Sequence, residues 1–127
     1  EYVARGPAGS TYPWGKNEPT TALACYDPDG SQMTTAKVGS HPEGASWCGA
    51  QDVAGNVWEW CEDWIGTYEA DQTANSGGPL SGSFRVLRGG SLASVSGALR
   101  GACRFGDRPG GRSRYTGFRV ALSPLGS

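Results

Sequence analysis

Polar and apolar residues alternate most regularly in the stretch NVWEWCEDW, residues 56–64. In an extended chain this alternation places Trp58 and Trp60 on one side and Glu59 and Cys61 on the other. Aromatic side chains at every second position favour a β-strand with one packing face. The pattern predicts a strand here, with the tryptophan pair directed toward other protein atoms.

Three shorter runs predict further strands. Residues 83–88 (SFRVLR) form one run, which the glycine pair 89–90 stops, and residues 98–105 form a possible second. Residues 117–122 (GFRVAL) form the third, with Arg119 expected to point away from the interior. This last strand is expected to bury its alternate apolar side chains, which are Phe118, Val120 and Leu122.

The composition limits the class of fold. The 127 residues include 21 Gly and 8 Pro, which argues against a helical bundle. Residues 16–46 are rich in Pro, Gly, Ser, Thr and Asp and predict an irregular excursion. No second domain is indicated, so residues 1–127 are expected to form one domain. No apolar run approaches the roughly 20 residues that span a bilayer, so membrane insertion is not expected.

Charge is distributed unevenly along the chain. Residues 1–84 carry three basic and eleven acidic side chains, a net charge of −8, whereas residues 85–127 carry eight Arg and only Asp107 as an acid, a net charge of +7. An Arg-rich half could bind an anion or a nucleic acid. Pairing between the two halves is favoured instead, because Arg binds carboxylates and carbonyls in fixed geometry and no Lys accompanies it. Nucleic acid is therefore not expected as a partner.

The four cysteines lack C-x-x-C spacing, which makes a zinc ribbon or a redox motif improbable. Reduced, partly buried thiols and a single disulfide both remain open. The lone His41 lies in a Gly-Ser-His-Pro run and is expected to be a loop residue.

Blocks in a fixed order resemble one family: EYVARG and YPWG near the start, then DVAGNVWEW, FRVLRGGS and TGFRVA. The chain resembles formylglycine-generating enzymes and sulfatase-modifying-factor-like proteins. This resemblance spans nearly the whole chain. It implies an α+β fold of the C-type lectin type, compact and loop-rich, with antiparallel strands and little helix.

The resemblance also identifies where family chemistry would lie. Formylglycine-generating enzymes oxidise a substrate cysteine with copper and a cysteine pair, and the matching positions here are Ser94 and Leu99. Neither side chain replaces a copper-binding thiolate. Related non-haem iron enzymes hold their metal with three His, whereas this chain has His41 alone. The sequence therefore predicts no enzyme and no organic cofactor, with a copper-dependent cysteine oxidase as an alternative.

A structural calcium is the metal that the resemblance implies. Its ligands would be the side chains of Asp52 and Glu59 and the backbone carbonyls of Gly55 and Val57. Oxygen ligands on a glycine-containing turn suit a hard cation. The alternative is that both carboxylates pair with the Arg set or cap local amides.

Residues 92–116 have a distinctive composition. None of these 25 residues is Lys, Glu, Gln, Met or Trp, whereas the other 102 residues contain 17 of them. Randomised adenines in codons of the form A-A-pyrimidine would exclude the same five types. The tract thus resembles the variable region of proteins diversified by retroelements, which use this fold. The diversified, ligand-binding positions would be Ala93, Ser94, Val95, Gly97, Ala98, Gly101, Cys103, Phe105, Gly106, Asp107, Gly110, Gly111, Ser113, Arg114 and Tyr115.

The sequence as a whole predicts a non-catalytic ligand-binding domain that displays a diversified surface to a protein ligand. Irregular surface segments held by strands at both ends tolerate such changes. We expect a monomer. The copper-dependent oxidase and an anion- or nucleic-acid-binding domain are the alternatives.

Overall fold

A computed structural model describes residues 1–31, 34–68 and 78–122. Regular structure is sparse in these ranges, and no helix within them has the length and apolar character needed to cross a bilayer. Helix α1 covers Tyr2–Arg5, and single 3-10 turns cover Pro42–Gly44 and Ser96–Leu99. The strands are β1 (Trp58–Trp64), β2 (Arg85–Arg88), β3 (Arg104–Asp107) and β4 (Thr116–Gly117).

The four strands form one sheet in the order β3-β2-β1-β4. The pairs β1–β2 and β2–β3 are antiparallel, whereas β1 and β4 run parallel. Trp60 lies opposite Leu87, which lies opposite Phe105 on the far side. Because side chains alternate along a strand, the sheet has two distinct faces. We name them the cavity face, with Trp58, Leu87, Phe105 and Asp107, and the ion-pair face, with Glu59, Cys61 and Arg88.

The main core lies where the irregular excursion packs beside the sheet. Tyr12, Ala24, Tyr26, Ala54 and Leu99 form one buried cluster, and a further aromatic ring packs against it. Tyr26 satisfies its hydroxyl by donating to the carbonyl of residue 19 at 2.9 Å. The excursion predicted at residues 16–46 is thus irregular in backbone yet contributes much of the interior.

The Gly55-Asn56 corner joins this excursion to β1. The Asn56 amide N–H donates to the Cys25 carbonyl at 2.7 Å, and its side-chain oxygen accepts from Ala36 N–H at 2.9 Å. Gly55 has φ 81°, and a Cβ there would lie 2.4 Å from the Cys25 carbonyl oxygen. Only glycine permits this close approach. Gly55 and Asn56 therefore determine how the loops around Cys25 and Ala36 pack against the start of β1.

Two of the predicted strands differ from the observed ones. The bounds of the strand predicted over 98–105 are wrong, because a 3-10 turn ends at Leu99 and β3 begins only at Arg104. The burial predicted for the last strand is also wrong. β4 pairs with β1 only through Thr116 and Gly117, and the apolar side chains beyond it lie at the surface of the described structure. Phe118, Val120 and Leu122 are accordingly 77%, 88% and 94% exposed.

Candidate ligand-binding site

The tract of residues 92–116 leaves the sheet at a glycine turn and is anchored from beneath. Gly89 and Gly90 have φ values of 95° and 75°, which lets the chain turn sharply after β2. Leu92 and Leu99 then insert into the interior, and Leu99 is fully buried. Two apolar anchors therefore hold the beginning of the tract against the core.

The predicted diversified positions lie mostly at the surface. Ser94 and Gly101 are buried, and the other thirteen of the fifteen are half-buried or exposed. Gly101 is confined because a Cβ there would lie 2.6 Å from the Arg5 side chain. The exposed and half-buried positions are Ala93, Val95, Gly97, Ala98, Cys103, Phe105, Gly106, Asp107, Gly110, Gly111, Ser113, Arg114 and Tyr115.

An open cavity of about 290 Å³ lies on the cavity face, between the sheet and the tract. The Trp58 and Phe105 rings contact each other in its wall, with centroids 5.8 Å apart. The sheet and the adjoining turn contribute Trp58, Leu87, Ser91 and Thr116 to the wall. The tract contributes Ala93, Ser94, Phe105, Asp107, Ser113 and Tyr115. The structure thus brings six of the predicted positions together with fixed residues that sequence reasoning missed.

The cavity wall carries one charged side chain, Asp107. Its Oδ1 accepts a hydrogen bond from the Arg108 amide at 2.7 Å. No ion pair in the described ranges includes this carboxylate. Next to the wall, the Arg114 guanidinium lies 4.8 Å from the centre of the Tyr115 ring and donates to its hydroxyl at 2.6 Å.

The positions that match the family's copper-binding cysteines do not fit copper. Ser94 Oγ accepts from the Ser91 amide at 2.9 Å, so it caps the turn after β2. Leu99 is a core side chain with no exposed surface. Among the described residues, no group of three or more His, Cys, Asp or Glu could hold a metal. All four cysteines are free thiols in the structure.

The loop predicted to hold calcium is bound by Arg119. This guanidinium donates to both carboxylate oxygens of Glu59 at 2.5 Å and to the carbonyls of Gln51 and Asp52 at 3.1 and 3.0 Å. The Asp52 carboxylate accepts from the Gly39 amide at 2.7 Å. Hydrogen bonding to Glu59 raises the pKa of Arg119. Calcium binding at Asp52, Gly55, Val57 and Glu59 stays a prediction, and it would require Arg119 to leave Glu59.

The predicted pairing between the acidic and basic halves occurs at two arginines in the described ranges. Arg88 binds Glu1 at 3.1 Å, and Arg119 binds Glu59. Other arginines place their guanidinium groups over aromatic rings. Arg85 lies 3.6 Å from the centre of the Trp64 ring, and Arg104 lies 3.9 Å from that of Tyr68. The Arg-rich half thus serves internal contacts in several places.

Relatives with names of enzymes overturn the prediction that the chain is not an enzyme. The hercynine oxygenase of Mycolicibacterium smegmatis is 41% identical over 118 residues, which are 87% of this chain and 27% of that protein. The formylglycine-generating enzyme of Streptomyces coelicolor is 39% identical over 139 aligned residues, which cover 95% of this chain and 43% of that protein. The prediction failed because it judged chemistry from Ser94, Leu99 and His41 alone. The chain spans less than half the length of these relatives.

Solved structures agree in fold. Treponema denticola variable protein 1 superposes with a TM-score of 0.77 at 32% identity, covering 92% of this chain and 42% of that one. PvdO from Pseudomonas aeruginosa superposes with a TM-score of 0.73 at 25% identity, covering 92% of this chain and 47% of that one. These neighbours confirm the C-type lectin fold and the resemblance to variable proteins. A family model, the sulfatase-modifying factor enzyme 1-like domain, matches residues 1–124, and the chain therefore belongs to that family.

Proposed function

We propose that this domain binds a protein ligand through the surface formed by residues 92–116 and the cavity beside it. One observation carries the proposal: thirteen of the fifteen positions inferred to be diversified lie outside the interior. A surface built to vary must change without disturbing the core, and this distribution meets that requirement. The likeness to Treponema denticola variable protein 1 supports it.

The anchoring of the tract gives the proposal its physical basis. Leu92 and Leu99 occupy the interior, while Phe105 and Tyr115 lie in the cavity wall. Aromatic side chains of this kind supply large contact areas at binding surfaces, and neighbouring small residues leave room for a partner. Replacing them would alter the contact area while leaving the interior unchanged.

The DNA beside the gene provides a direct test. We expect a near-identical repeat of the codons for residues 92–116 with adenines at the variable positions, accompanied by a reverse transcriptase gene. Sibling genes should differ at the fifteen named positions and agree at Leu99 and at the sheet residues. A neighbourhood with neither a repeat nor a reverse transcriptase would rule out diversification by this route.

A binding experiment complements the genomic one. Random peptides displayed on phage would be selected on the wild-type domain, and their affinities measured again on the double variant Phe105→Ala, Tyr115→Ala. We expect at least tenfold weaker binding, because both rings lie in the cavity wall. Trp47→Ala is the matched control, since this exposed aromatic lies away from the cavity. Equal losses in the double variant and the control would contradict the proposal.

An enzymatic role within a longer protein is a second candidate, favoured by the 41% identity to hercynine oxygenase. The chain would then contribute one wall of an active site whose reacting groups lie elsewhere. The test is metal analysis and an oxidation assay, on a cysteine peptide and on hercynine, of the protein purified from its native gene. Substrate oxidation that Trp58→Ala abolishes, with the fold intact, would support this role, whereas no bound metal and no oxidation would exclude it.

A further inference from the structure

The cavity combines aromatic rings with a single acid. Trp58, Phe105 and Tyr115 supply the rings, and Asp107 is the one charged side chain in the wall. A carboxylate beside aromatic faces attracts cations, since the ring faces are electron-rich and the carboxylate supplies the opposite charge. The chemistry of the wall is thus complementary to a positively charged group with an apolar stem.

Packing around Asp107 holds its carboxylate in place. Its Oδ1 accepts the Arg108 amide hydrogen bond. Gly111 lies against the other side of the group, where a Cβ would approach Oδ2 to 2.5 Å. The carboxylate is therefore fixed at the cavity wall, without a cationic partner among the residues described.

Arginine lies over an aromatic ring at two places outside this cavity and beside a third ring at its edge. Arg85 lies over Trp64, Arg104 over Tyr68, and Arg114 beside Tyr115. Arg114 bonds the Tyr115 hydroxyl and does not form part of the cavity wall. The Trp58–Phe105 pair is the ring surface in the cavity that has no arginine upon it in the described structure.

We infer that this cavity receives the cationic head of an arginine or lysine side chain displayed by the protein ligand. Asp107 binds the charge, and Trp58 and Phe105 cover the apolar stem. This inference rests on the proposed function and adds the chemical class of the anchoring group. Because Phe105 and Asp107 belong to the tract, the preference for a cation is a property of this particular tract sequence.

The peptides selected on the wild-type domain provide the test. Affinities would be measured on Asp107→Asn and with each basic peptide residue replaced by an uncharged counterpart, citrulline for arginine or acetyllysine for lysine. We expect either change to weaken binding about tenfold or more, and the two together to cost no more than one alone. Asp29→Asn makes the same change of charge at an exposed position outside the cavity wall and should leave affinity within twofold.

Gly111→Ala is a second variant that keeps the acid but displaces it. The added methyl must push the Asp107 carboxylate, so peptide affinity should fall while the charge of the protein is unchanged. Thermal unfolding of each variant would verify that the domain remains folded.

The outcomes separate this inference from the proposed function. Peptides that need Phe105 and Tyr115 but are indifferent to Asp107→Asn and to citrulline would overturn the cation inference and leave the binding surface standing. Peptides indifferent to all of these changes, or no selected peptide at all, would overturn both.

Discussion

The two faces of the sheet differ in how their charged side chains are paired. On the ion-pair face, Glu59 is held by Arg119, and Arg88 reaches Glu1 at 3.1 Å. On the cavity face, Asp107 stands among aromatic rings with no ion pair in the described ranges. Charges on the first face bind parts of this chain to one another. The acid on the second face forms no such bond with a charged side chain in the described ranges.

One small sheet thus combines ion pairs within the chain on one face with an open cavity on the other. Arg119 connects the loop before β1 to the chain after β4 through one carboxylate and two carbonyls. Part of the tract lines the cavity on the opposite face, where the wall includes small hydroxyl and methyl side chains. The carbonyls of Gly101 and Cys103 accept from Arg88 on the ion-pair face. The tract therefore meets both faces, with side chains in the cavity wall on one and backbone carbonyls bonded to Arg88 on the other.

The largest expected effect comes from the interior that supports the tract. Leu99→Ala removes a side chain with no exposed surface from the main core. We expect a loss of about 2–5 kcal/mol in the free energy of unfolding, measured by urea denaturation. Val95→Ala, at an exposed position in the same tract, should change it by less than about 0.5 kcal/mol. Similar losses for both would mean that the tract is not divided into anchors and surface.

Next in size is the contrast between the charged residues of the two faces. Arg119→Gln leaves Glu59 and two carbonyls without their donor, and we expect a loss of about 1 kcal/mol, moderated by solvent at this partly exposed site. Asp107→Asn removes no ion pair and should stay within about 0.5 kcal/mol of wild type. Urea denaturation at low and high salt measures both. The reverse order of losses would refute the assignment of roles to the faces.

Calcium would test the role of the ion pair between Arg119 and Glu59, because it would compete with the guanidinium for the carboxylate. Arg119→Gln frees the oxygens of the loop, so calcium should raise the melting temperature of this variant more than that of wild type. Calorimetric titration with CaCl₂ measures the affinity directly. Adding Glu59→Gln to the variant should abolish its response. A stronger response in the wild-type protein would show that the guanidinium does not occupy the calcium site.

The smallest expected effect concerns the reactivity of two thiols, Cys61 on the ion-pair face and Cys48 in a loop outside the sheet. Burial raises the pKa of Cys61, whereas a hydrogen bond with Ser46 lowers the pKa of the exposed Cys48. The thiolate is the reactive form, so alkylation of Cys48 should begin at lower pH than that of Cys61. Mass spectrometry after iodoacetamide treatment between pH 6 and 9 would rank the two. Ser46→Ala should move the Cys48 profile to higher pH.

Local sequence was sufficient for the parts of the fold that short-range patterns specify. Strict alternation identified β1, and the run before the glycine pair identified β2. The bounds of β3 were predicted wrongly, because residues 98–105 include apolar residues and glycines that also suit a turn. The exposure of Phe118 and Val120 was missed as well, since alternation gives the side of a strand but not what covers that side.

The family blocks, the unusual composition of residues 92–116 and the excess of arginine in the second half can all be read from the sequence without coordinates. The folded chain was needed to show that Asp107 and Trp58 line one cavity, and that Arg119 reaches back to Glu59. The physical reason is that each pair consists of residues about fifty to sixty positions apart in the sequence. Such pairs are brought together by strand register and loop packing, which depend on the whole chain.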